Sequence, residues 1–119
     1  MMTTRDRVLD IYAGLVAAYE GVEIKGAKSK YTAVNGNMFS FVDPDGGLCI
    51  RLSEVGKAAF NEENGQGDVV QYGAVMRGYV AVPEGMLGDR AALRALFAEA
   101  VNHARALKPK PTKKARRGS

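Results

Sequence analysis

A chain of 119 residues suits one domain with one core, and leaves no length for two. Hydrophobic residues at 46% and charged residues at 25% are ordinary globular proportions and exclude disorder throughout. The net charge of +4 is unevenly placed: residues 1–107 carry 13 acidic against 11 basic side chains, while residues 108–119 are basic without a single acid. The high isoelectric point therefore belongs to the tail and is no argument for a nucleic-acid-binding fold. No apolar run is long enough for a membrane span. The start, Met1-Met2-Thr3-Thr4-Arg5-Asp6, lacks the apolar centre of a secretory signal. A cytoplasmic location is expected, and the lone Cys49 suits a reducing compartment because it has no internal partner for a disulfide.

The first predicted element is a helix capped by Thr3 or Thr4, with Asp6 in its first turn. Val8, Tyr12, Leu15, Val16 and Tyr19 recur at helical spacing, and Gly21 is expected to end the helix. Residues 22–25 suit a short strand, and Gly26 to Lys30 a loop. Tyr31 to Val34 and Asn37 to Val42 flank Asn35-Gly36, a strong hairpin signal because both turn positions need positive φ. The turn Asp43-Pro44-Asp45-Gly46-Gly47 leads into a third strand, Leu48 to Leu52. Ser53 is expected to cap a helix running to Phe60, weakened by Gly56, with a loop over Asn61 to Gly67. Val69 to Tyr72 and Arg77 to Val82 read as two further strands, the second closed by Pro83. Asp89 caps the last helix, whose stripe is Leu93, Leu96, Phe97, Ala100, Val101, Ala104 and Leu107. Pro109 and Pro111 stop it.

This order predicts an α+β domain over residues 1–107 and a basic disordered tail over 108–119. The domain should have two layers: one antiparallel sheet with the N- and C-terminal helices packed on one face.

Several segments carry more than general pattern. They are Tyr31-Thr32-Ala33-Val34-Asn35-Gly36-Asn37-Met38-Phe39-Ser40-Phe41, then Leu48-Cys49-Ile50-Arg51-Leu52-Ser53, then the run from Gln71 through Arg77-Gly78-Tyr79 to Pro83, and finally Leu107 to Lys114. In order and spacing these resemble the TfoX N-terminal domain family, also called TfoX/Sxy-like, and its small stand-alone bacterial members in particular. The resemblance covers about residues 5–114. It implies a fold related to YjbR-like proteins and type III secretion chaperones, and a link to transcription regulation through the competence regulators. Those regulators carry a second, helical domain that is not expected in residues 108–119. The loop Gly26 to Lys30 also departs from the family's Met-Phe-Gly-Gly type of stretch. The family supplies no catalytic residues to carry over.

Chemistry-bearing constellations are sparse. With a single histidine, His103, and a single cysteine, no tight divalent metal site and no cofactor is expected. Asp43 and Asp45 read as turn residues and Glu62 and Glu63 as solvated loop charges. Gly65-Gln66-Gly67 lacks the lysine and helix start of a phosphate loop. Arg51 and Arg77 occupy expected strand positions between apolar neighbours, and with Tyr31, Met38 and Tyr79 they are candidates for a partner-binding patch. The expected function is a non-enzymatic binding or regulatory module with an unidentified macromolecular partner, a protein among the candidates. A small-molecule-binding domain, or an enzyme with an unrecognised site, is the alternative. Lys108, Lys110, Lys113, Lys114, Arg116 and Arg117 are suited to weak, non-specific nucleic-acid binding.

The charge division makes this testable. Truncation after Leu107 should abolish DNA binding in an electrophoretic mobility assay, and the full chain's affinity should fall steeply with salt. Strong binding by the truncated protein would place the contact in the folded domain instead.

Overall fold

A computed structural model describes residues 4–26, 30–34, 36–43, 46–71 and 73–107. Helix α1 (Thr4–Ala17) is followed by strands β1 (Ile24–Lys25), β2 (Lys30–Val34), β3 (Asn37–Val42) and β4 (Leu48–Arg51). Helix α2 (Glu54–Asn64), strands β5 (Val69–Gln71), β6 (Ala74–Met76) and β7 (Tyr79–Ala81), a short 3-10 turn (Glu84–Gly88) and helix α3 (Arg90–Ala106) complete the described elements. Five strands form an antiparallel sheet in the order β1-β2-β3-β4-β7, while β5 and β6 form a separate hairpin. The α+β class and the packing of the terminal helices on one face are as the sequence predicts.

Val34 pairs with Asn37 across the hairpin turn, and Gly36 has φ 80°. Asp43 closes the next turn: its carboxylate accepts from the Gly47 amide at 2.8 Å, and its own amide donates to the Gly47 carbonyl at 2.9 Å. Gly46 is required there twice over. Its φ is 92°, and a Cβ would lie 3.0 Å from Cα of Arg5, so the turn packs against the start of α1. Thr3, Asn35, Pro44, Asp45, Tyr72, the middle of the 26–30 loop and the tail lie outside the described residues.

Several boundaries differ from the sequence reading. Helix α1 stops at Ala17, and Gly21 (φ 82°) serves the turn that follows it. Helix α2 continues through Asn61 to Asn64, residues expected in a loop. Its stop is Gly65 in the left-handed conformation, with its amide on the Asn61 carbonyl, and Asn64 donates its side-chain amide to the Phe60 carbonyl at 2.9 Å. Polar composition suggested a loop, but the cap residue decides where the helix ends. Ser53 caps α2 through the Gly56 amide, and Asp89 caps α3 through the Ala92 amide. The expected strand Arg77 to Val82 is shorter, because Arg77 and Gly78 form the turn between β6 and β7. Instead of joining the main sheet, β5 pairs with β6, so the fold has a second, two-stranded sheet.

The main core lies between the sheet and α1 and α3. It unites Val8, Tyr12, Phe39, Ile50, Val80 and Phe97, none more than 1% exposed. A bulge in β3 shapes it: Thr32 pairs with Ser40 but Ala33 pairs with Met38, which leaves Phe39 as the extra residue. Phe39 and Ser40 consequently both turn toward the helices. The Ser40 hydroxyl hydrogen-bonds Tyr12 Oη at 2.6 Å and also the Thr32 hydroxyl, so three fully buried hydroxyls satisfy one another. Burial raises the Tyr12 pKa, an effect that its bonds to Ser40 and Thr32 partly offset.

Phe97 is the hub of this core. Its ring lies 5.6 Å from that of Phe39, 5.7 Å from Tyr19 and 6.4 Å, edge-on, from Tyr12. Phe97→Ala should cost about 3–5 kcal/mol, a large share of the roughly 5–15 kcal/mol available to a domain. Chemical denaturation beside a variant cut after Lys108, which should unfold as the parent does, checks the assignment.

Candidate functional site

The face of the sheet away from α1 and α3 carries a second apolar cluster, built from alternate residues of the same strands. Phe41, Cys49, Val69 and Tyr79 are its buried members, and Tyr31, Met38, Met76 and Ala81 pack against them. Four of the five candidate patch residues thus meet. Arg51 pairs with Tyr79 across β4 and β7, Tyr31 pairs with Phe41, and the Tyr79 hydroxyl donates to the Met38 carbonyl at 3.0 Å. The rings of Phe41 and Tyr79 lie 5.2 Å apart.

The cluster is not an open face. The β5–β6 hairpin lies over it and contributes Val69 and Met76, so Tyr79 is only 5% exposed. Burial raises its pKa, against a lowering influence of the Arg51 guanidinium. Arg51 is half-buried beside the β6–β7 turn, where a Cβ on Gly78 (φ 82°) would lie 3.3 Å from its Cγ. Arg77, expected on a strand, is exposed on that turn. It borders a shallow hollow of about 440 Å³ with Glu54 and Lys57 of α2 and Val75 of β6. An ion pair of 2.9 Å between Lys57 and Asp68 ties α2 to the approach of the hairpin.

The sequence reading missed the outer side of the hairpin. Val69 and Met76 pair and face the sheet, whereas the next pair, Val70 and Val75, is 55% and 53% exposed. The signal was present in the apolar couples Val69-Val70 and Val75-Met76, which a strand with one wet face does not need. A second concavity, of about 360 Å³, lies between α1 and α3, lined by Ile11, Leu15 and Tyr19 over the buried Phe97.

The remaining candidates separate. His103 is half-buried on α3, across the sheet from Cys49. Glu62 and Glu63 are exposed on α2, not in a loop. Among the described residues no group of three histidine, cysteine or acidic side chains is arranged to hold a metal ion, and no helix is long and apolar enough to cross a membrane. The tail lysines and arginines lie outside the described residues. Comparison with known protein families, curated proteins and solved structures finds no match to this chain.

Burial, reinforced by the nearby Asp43 carboxylate, pushes the Cys49 thiol up to about 12 from its usual 9.0. The folded protein therefore keeps this proton where the unfolded chain loses it. Its contribution is complete below about pH 9 and is lost as pH rises toward 12. Ellman's reagent at pH 8 should leave Cys49 unmodified until denaturant is added, and the melting temperature should fall between pH 8 and pH 10.5. Rapid native labelling would contradict the buried thiol.

Proposed function

We propose that this domain is a non-enzymatic binding module whose contact surface is the outer side of the β5–β6 hairpin together with Arg77. One observation carries the reading: Val70 and Val75, paired across the hairpin, keep more than half their surface in water while their neighbours Val69 and Met76 are used for folding. An apolar cross-strand pair left outside in this way is suited to a partner's apolar side chain, and the exposed guanidinium of Arg77 to an acidic group beside it. Tyr31, Met38, Arg51 and Tyr79 then support the surface from beneath by holding the hairpin against the sheet.

The resemblance to the TfoX N-terminal domain family favours a regulatory role through a protein partner, with a link to transcription regulation. The tail adds weak polyanion attraction and does not choose the partner. Capture from bacterial lysate should retain the same proteins with the full chain and with a chain ending at Leu107. Val70→Lys combined with Val75→Lys should reduce that capture at least about tenfold, with circular dichroism unchanged, and Arg77→Glu should reduce it less. Equal capture by the double variant would remove the hairpin from the binding surface.

A further inference from the structure

The cleft between α1 and α3 lies on the opposite layer from the hairpin and serves a different chemistry. Its apolar surface is formed by Ile11, Leu15 and Tyr19 over the buried Leu93 and Phe97, and its wall on the α1 side is low because Gly14 and, just past the helix, Ala18 are small. Gly14 is exposed in the last turn of α1, and a Cβ there would meet nothing within 4 Å. A glycine at such a position weakens the helix without relieving any crowding. What it leaves is space, about 360 Å³ of it, at the small end of the roughly 300–1,000 Å³ range of ligand clefts.

The rim is charged in a way that folding does not use. Arg90 and Arg94 stand one turn apart on α3, both exposed and both lining the cleft. Like charges at this spacing repel. Arg90 also lies in the first turn of α3, against the positive end of the helix dipole, where Asp89 is spent on capping the Ala92 amide and no further acidic residue follows in that turn. Neither guanidinium enters an ion pair or a side-chain hydrogen bond among the described residues. Asp10 lines the same cleft without an ion pair to either one. The rim therefore offers two cations against one carboxylate, above an apolar floor.

We propose that this cleft binds a small organic monocarboxylate, with its apolar body on Ile11, Leu15 and Tyr19 and its carboxylate between Arg90 and Arg94. The planar guanidinium fork suits a carboxylate, and Asp10 limits the site to a single negative charge. This site goes beyond the hairpin surface proposed above and does not depend on it.

The test is an amide-resolved NMR titration of the full chain with octanoate and with phenylacetate. Acetate serves as the probe without an apolar body, and phenylacetamide as the probe without charge. At least one of the first two should shift the Gly14, Ala18 and Leu93 amides saturably, while acetate and phenylacetamide should not. Arg90→Gln with Arg94→Gln should weaken binding at least about tenfold, since hydrogen bonds to a charged group are worth about that factor or more. Gly14→Leu should fill the cleft and abolish binding, with a melting temperature equal to or above the parent's. Unmoved amides with every probe, equal binding of phenylacetamide and phenylacetate, or parental affinity in Gly14→Leu would each overturn the proposal.

Discussion

The ring of Phe97 is the point at which the two layers of this domain are joined. It meets Tyr12 and Tyr19 from the first helical region and Phe39 from the sheet, so one side chain on α3 joins two other parts of the chain at once. Aromatic rings suit that role because each buries a large area and prefers tilted or edge-on neighbours over parallel stacks. The same ring lies buried beneath the α1–α3 cleft.

The sheet is buried on both sides, which is uncommon for an antiparallel sheet in a small domain. Helices cover one face, and the β5–β6 hairpin folds back over the other. The bulge at Phe39 serves this arrangement. It turns Phe39 and Ser40 together toward the helices, while Met38 and Phe41 remain on the hairpin side. Two consecutive inward residues also bring the Ser40 hydroxyl to Tyr12 and Thr32, where three otherwise costly buried polar groups satisfy one another.

Because both faces are used for folding, the surfaces proposed for binding lie at the periphery. The exposed pair Val70 and Val75 lies on the outside of the hairpin, and the arginines Arg90 and Arg94 lie on the rim between the helices. Neither group contributes to the two apolar clusters. Cys49 shows the converse: chemically the most reactive side chain type in the protein, it is buried, its pKa is raised, and His103 lies across the sheet from it.

Much of the architecture was legible locally. Ser53 and Asp89 cap helices where their side chains predict, Gly36 turns the central hairpin, and the α3 stripe from Leu93 to Ala104 is buried as its period requires. Of the patch residues, Tyr31, Met38, Arg51 and Tyr79 do share one face, because alternation along paired strands carries that information. What the sequence could not express was how that face ends up covered. Arg77 leaves its expected strand, β5 pairs with β6 instead of extending the sheet, and Phe39 breaks the alternation of β3. Periodicity and capping are decided among residues within a few positions of each other, so composition records them. Which surface stays in water, and where a cleft opens between α1 and α3, depends on contacts between segments some eighty residues apart, and only the tertiary structure sets those.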